Sequence, residues 1–256
     1  MYQKYPVLLC QGFDPFTVPA TLTDSEEYII RTDRGTVKGV DIMNSEIDPD
    51  LLPDHEITVN AGGQDLLVDM PLARYLYSFS LGSSKDFITR VILQDAQTVN
   101  LTLLNRDAVE DATAQLQVFY TDRQHEAFLK NFKWGNGLGL KQRSFRLSGI
   151  GGNPPSFPQE FTLSQTIPRQ NGPIIGFSIF TDFSPGVARD VRHDLFINGV
   201  SAIENIIGLN AVTECQRQQF IYRVGLEPGS TFELKVRQYA TILGTGSYFV
   251  TFYFAN

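Results

Sequence analysis

Two cysteines, three histidines and one tryptophan are all that 256 residues hold of the side chains that most often staple, ligate or stack. Cys10 and Cys215 cannot build a disulfide framework or a zinc site, and so few thiols fit an intracellular, reduced origin. The histidines are scattered at His55, His125 and His193, with no His-x-His anywhere. That excludes a cupin-type metal centre, which needs two or three His plus a Glu on neighbouring strands. No Gly-x-Ser-x-Gly elbow, phosphate-binding loop or Cys–His pairing is present. Gly135–Gly139 has the glycines of a nucleotide loop but no parallel βαβ unit around it. No run approaches the ~20 apolar residues that span a bilayer, and residues 5–10 are too few for a signal-peptide core. No catalytic residue and no cofactor emerges, so the expectation is a protein that is not an enzyme.

What is abundant is phenylalanine, 19 residues in a chain that is 42% hydrophobic and 19% charged. This is the composition of a folded protein with large flat cores. The net charge of −7 is uneven. Residues 1–122 carry 8 Lys/Arg against 19 Asp/Glu, residues 123–146 carry 6 against 1, and residues 147–256 carry 7 against 8. An acidic majority argues against specific nucleic-acid binding. The exception is a basic island of Arg123, Lys130, Lys133, Lys141, Arg143 and Arg146, interleaved with Phe128, Phe132, Trp134 and Phe145. It reads either as a charged linker or as a contact with an anionic surface.

The chain also repeats itself. Residues 87–122 align without a gap on residues 220–255 at an offset of 133, matching Phe87/Phe220, Arg90/Arg223, Leu101/Leu234 and Tyr120/Tyr253 among others. Upstream, His55–Ala61 answers His193–Gly199 at an offset of 138, and Gly39–Ile42 answers Gly176–Ile179 at 137. Three blocks in one order make a duplicated domain. The expected organisation is an N-terminal arm over 1–15, a first domain over 16–122, a basic connector with a short helix over 123–146, and a second domain over 147–256.

Each half reads as short β-branched and aromatic runs punctuated by turns. In the first these are Phe16–Leu22, Tyr28–Thr32, Val37–Met43, Glu56–Asn60, Phe87–Leu93, Val99–Leu104 and Ala114–Tyr120. In the second they are Phe161–Thr166, Ile174–Phe180, Asp194–Asn198, Phe220–Leu226, Phe232–Arg237 and Tyr248–Phe254. Apolar spacing predicts one helix in each half, over Gln64–Tyr77 and Ser201–Arg217, and a third over residues 121–134. Residues 149–155 read as irregular chain. The fold class is all-β: two tandem eight-stranded jelly rolls, each with a short helix before its last strands. Strand count alone also admits a lipocalin-like meander or an immunoglobulin-type sandwich.

Other candidate sites are weak. His55 and His193 sit at matched positions of the repeat, which points to a scaffold role at a turn. Asp48, Asp50 and Asp54, and Asp107 with Glu110 and Asp111, have the oxygens of a calcium loop or of a solvated acidic one.

With its repeat and inserted helices, the chain resembles the double-jelly-roll major capsid proteins of tailless icosahedral bacteriophages with an internal membrane, the tectivirus and corticovirus groups. The resemblance covers about Phe16 to Phe254 and rests on architecture. It implies a structural virion protein, synthesised in the host cytoplasm, whose homotrimer forms a pseudo-hexagonal capsomer. The implied partners are neighbouring capsomers, minor capsid proteins and the internal viral membrane. It places Lys130, Lys133, Lys141 and Arg143 towards lipid headgroups, because an eight-stranded roll begins and finishes at one end. Two alternatives stand beside it. One is a minor, vertex or spike protein of the virion. The other is a tandem jelly-roll carbohydrate-binding protein or glycan hydrolase, for which a single tryptophan offers little to stack a sugar on.

Overall fold

The computed structural model describes residues 9–30, 36–44, 55–61, 63–71, 98–109, 111–121, 141–169, 173–211 and 222–254. The N-terminal half carries β1 (Cys10–Gly12), β2 (Phe16–Val18), β3 (Thr23–Ile29), β4 (Thr36–Asn44), β5 (His55–Ala61), β6 (Gln64–Pro71), β7 (Thr98–Asn105) and β8 (Ala112–Thr121). The C-terminal half carries β9 (Lys141–Gly152), β10 (Gln159–Thr166), β11 (Ile174–Thr181), β12 (Val191–Ile197), β13 (Val200–Ile207), β14 (Tyr222–Leu226), β15 (Thr231–Gln238) and β16 (Ile242–Phe254). One helical turn, α1 (Pro185–Ala188), and a 3-10 turn at Gly208–Ala211 interrupt them. By internal contacts the chain divides into Gln11–Tyr120 and a unit of Met1–Cys10 with Thr121–Asn256.

Strand order identifies the fold of the C-terminal unit. Counting β9 to β16 as first to eighth, one run of four neighbouring strands is second-seventh-fourth-fifth, and a four-stranded sheet runs sixth-third-eighth-first. First therefore pairs with eighth, second with seventh, third with sixth and fourth with fifth, all antiparallel. That nesting is a long hairpin rolled on itself, which is a jelly roll. The N-terminal unit repeats it: β3-β7-β5-β6 form one sheet, and β2 and β4 both pair with β8. The strand expected over Phe87–Leu93 lies outside the described residues. The protein is all-β, with jelly-roll topology in both halves.

Alternation makes the core. β5 and β7 bury every second residue, and β15 buries Phe232, Leu234, Val236 and Gln238 in turn. Between the C-terminal unit's two sheets, Phe145, Phe232 and Phe252 meet, with Phe145–Phe232 centroids 4.9 Å apart and Phe232–Phe252 centroids 5.1 Å apart. Phe177 stacks on Tyr222 at 5.1 Å. Burying each such ring contributes about 1.5–3 kcal/mol.

The two segments read as helices are strands over Gln64–Pro71 and Val200–Ile207; positions 72–77 and 212–217 lie outside the described residues. The physical reason is a shared defect. In β6 the register slips between Ile57↔Met70 and Val59↔Leu67, and in β13 between His193↔Ile206 and Leu195↔Ile203. Each bulge contains a left-handed non-glycine residue, Asp69 (φ 46°) or Asn205 (φ 54°). The bulge resets the strand's alternation, so β13 buries Ala202, Ile203, Ile206 and Ile207 in pairs, and pairs four apart mimic a helix. Only the 3-10 turn at Gly208–Ala211 gives helical chain within the described part of these segments. The helix expected over 121–134 lies outside the described residues beyond Thr121, which ends β8.

The same hairpins correct the repeat. Gly63 (φ 78°) and Gly199 (φ 77°) occupy one turn position, and Asp69 and Asn205 one bulge position, both at an offset of 136. His193 therefore corresponds to Ile57, and His55 to Val191; the two histidines are not a duplicated pair.

β9 starts inside the segment read as connector and runs through the stretch read as irregular. Its alternating Phe145 and Leu147 point into the core, which outweighs the three basic residues between and beside them. Gly149, Gly151 and Gly152, all at positive φ, bend the strand rather than end it.

Candidate interaction surfaces

The ends of the C-terminal roll are chemically different. β9 begins beside the point where β16 finishes, Lys141 pairing with Phe254 and Arg143 with Phe252. The connections from β10 to β11, β12 to β13 and β14 to β15 lie at this end. Leu9 joins it too, its N–H donating to Ala202 O at 2.8 Å, two residues past β13's start. α1 and the 3-10 turn lie at the opposite end.

Of the residues expected to face lipid, Lys130 and Lys133 lie outside the described residues. Lys141 is the first residue of β9. Arg143 is exposed, with its guanidinium 5.5 Å from the Phe145 ring centroid. Arg146, also exposed, donates through Nε and Nη2 to Ser247 Oγ at 3.0 and 2.8 Å and lies over Phe249. A neutral hydroxyl and two rings hold these guanidiniums in place without cancelling their charge.

The outer face of the β10-β15-β12-β13 sheet is polar. Lys235 Nζ lies 3.5 Å from Glu160 and 3.4 Å from Glu233, and Arg237 meets Asp194 at 2.6 Å. At the end bearing Lys141, an open groove of about 550 Å³ is lined by Ser164, Thr166, Phe196, Thr231 and Glu233, among others. Two rings line it: Phe196 has the Lys235 ammonium 5.6 Å above it, and Phe232 is only 2% exposed, packed in the core against Phe145 and Phe252. One ring's stacking face is thus in use and the other ring is closed into the core, which leaves little for a sugar to stack on.

The equivalent N-terminal sheet is acidic. Glu56 pairs with Arg106 at 3.0 Å, Asp65 accepts from Asn60 Nδ2 at 2.9 Å, and Asp69 accepts from Thr58 Oγ1 at 3.3 Å. β3 adds exposed Asp24, Glu26 and Glu27 at the edge. Sequence reading passed over this strand because charge on successive residues hides β-periodicity; the run of one sign was the available signal.

The described histidines, with Asp107 and Asp111, are built into strands and turns. His55 and His193 are both buried within strands. His193 packs on Tyr248 at 5.5 Å between ring centroids and leaves its Nδ1 without a hydrogen bond. Burial foremost, and then the nearby Arg237 charge, hold its pKa down at about 3. Burial likewise pushes the Tyr248 phenol up. Asp107 is buried and accepts the Val109 N–H at 2.6 Å, closing its own turn, while Asp111 accepts the Ala20 N–H at 3.3 Å. Asp48, Asp50, Asp54, Glu110 and His125 lie outside the described residues. Among the described residues no group of three His, Cys, Asp or Glu is placed to hold a metal ion, and no helix is long and apolar enough to cross a membrane.

No family model and no curated protein matches the chain. Among solved structures, the major capsid protein of bacteriophage PM2 aligns over 95% of this chain and 98% of its own, at 13% identity and a TM-score of 0.27. PBCV-1 VP54, fitted into a reconstruction of the virophage Sputnik, covers 99% and 95%, at 9% and 0.26. Tandem CBM51 modules of a Streptococcus pneumoniae family 98 glycoside hydrolase cover 91% and 81%, at 10% and 0.23. Superpositions this loose decide nothing by themselves. The assignment of fold rests on strand order.

Proposed function

We propose that this chain is the major shell protein of an icosahedral virion, and that three copies form a pseudo-hexagonal capsomer. The observation that carries the reading is the tandem of two jelly rolls sharing one nested strand order, down to the same bulged fourth–fifth hairpin. Three chains of two similar rolls present six similar blocks about a threefold axis, and such a block tiles a shell with few kinds of contact. A single-roll trimer would be triangular.

The end holding Lys141 faces an anionic membrane in this reading, with Lys130 and Lys133 just ahead in the chain. Supporting it, the basic start of β9 and the end of β16 lie together, as does Leu9. Each Lys or Arg near such a surface is worth about 1 kcal/mol.

Size-exclusion chromatography with light scattering tests the proposal. From a chain of 28.7 kDa it expects a species of about 86 kDa, and electron microscopy of the concentrated protein or its virion expects hexagonal capsomers. A monomer that binds oligosaccharide would replace the reading with the glycan-binding one.

A further inference from the structure

β3 breaks the usual rule that a strand buries one face. Thr23–Glu27 are all exposed, so water reaches both faces, and β3 is the last strand of its sheet among the described residues. It carries Asp24, Glu26 and Glu27 and no base. β9 is its complement. It too ends its sheet, it carries Lys141, Arg143 and Arg146 and no acid, and Gln142, Arg143, Ser144 and Arg146 are exposed. Among the described residues, none of Asp24, Glu26, Glu27, Arg143 and Arg146 takes part in an ion pair.

An open strand edge is a template for another chain, and like charge along it is how proteins prevent the wrong pairing. β3 against β3 would crowd acids into one short ladder, and β9 against β9 would crowd bases. Of these three pairings only β9 against β3 is attractive. We infer that a second copy of this chain docks the edge of its β9 on β3, antiparallel, with Arg143 opposite Glu27, Ser144 opposite Glu26 and Arg146 opposite Asp24. The register follows from spacing. Asp24 and Glu27 are three residues apart, as are Arg143 and Arg146, and an antiparallel ladder superimposes equal separations. Cross-strand pairs of opposite charge stabilise such a ladder, and like charges oppose it.

The two surfaces differ, so the contact is heterologous, the kind that closes a ring when the rotation permits. The inference rests on the trimeric shell reading and names its contact. It also gives Arg143 to a neighbouring copy, leaving Lys141 with Lys130 and Lys133 for the membrane.

Charge exchange tests it. The wild-type chain, Asp24→Lys/Glu27→Lys, Arg143→Glu/Arg146→Glu and the fourfold combination would be compared by light scattering at low and high salt, with circular dichroism to verify folding. Each double variant is expected to weaken assembly by about tenfold or more at low salt, and the fourfold exchange to restore it. A second pair needs no charge reversal. Glu26→Cys with Ser144→Cys is expected to yield disulfide-linked multimers on a non-reducing gel, whereas Glu26→Cys with Ser148→Cys is not. A wild-type trimer that ignores both exchanges and gives no selective cross-link overturns this contact and leaves the shell reading standing. A wild-type monomer overturns both.

Discussion

His193 is a titratable group closed into a core that gives its Nδ1 no partner. Its pKa is about 3 when folded, against an ordinary 6.5. The unfolded chain therefore binds a proton below pH 6.5 that the folded chain refuses. Its effect on stability is absent above pH 6.5, grows as pH falls towards 3, and amounts to about 1.4 kcal/mol per pH unit inside that window. Asp194, whose carboxyl burial raises, works in the opposite sense at the acid end. The comparison that isolates the histidine is wild type against His193→Phe, which keeps a ring beside Tyr248. Urea unfolding at pH 7.5 and 4.5 is expected to show wild type losing about 3 kcal/mol more than the variant. Equal losses would mean that His193 is not held neutral.

Among elements, the fourth–fifth hairpin is the most informative. Its bulge, its left-handed residue and its glycine turn recur in both halves, so the backbone shape has outlasted the side chains. In β13 the left-handed residue is Asn205, whose N–H donates to Asp194 Oδ1 at 2.6 Å. A β-branched residue cannot adopt that φ without strain, and glycine can. Asn205→Val is expected to destabilise the fold by more than about 1 kcal/mol, and Asn205→Gly by much less. Thermal melts of the two variants measure the difference. Here the limit of periodicity is visible. Val99–Leu104 and Phe232–Arg237 were legible as strands because nothing interrupts their alternation. β6 and β13 were not, because a bulge turns a period of two into clusters four apart. β9 was hidden by charge, and β3 by a run of acids on both faces.

At the scale of the whole molecule, charge is partitioned by position. Acids dominate the β3-β7-β5-β6 sheet of the N-terminal roll, mixed ion pairs cover the equivalent C-terminal strands, and bases gather where β9 begins. Exposed pairs such as Lys235 with Glu160 contribute little to stability, about 0–1 kcal/mol each. Their arrangement bears on partners instead. If the end bearing Lys141 faces lipid, reversing Lys130, Lys133 and Lys141 to glutamate should abolish co-flotation with vesicles containing anionic lipid and spare trimer formation. Unchanged flotation would remove the membrane contact. The interface variants at Arg143 and Arg146 are expected to do the reverse.

The amino-acid order by itself determined that this chain is built from β-strands, that it is duplicated, and that it holds no Gly-x-Ser-x-Gly elbow, phosphate-binding loop or His-x-His pair. Those are properties of short-range alternation, of composition and of self-similarity, which need no third dimension. Only the tertiary structure decided which strands pair. It turned the expected helices into bulged hairpins, separated His55 from His193 as structural equivalents, and set a basic edge and an acidic edge at the borders of different sheets. Pairing depends on contacts between residues distant in the chain, and no local pattern encodes which partner a strand will meet.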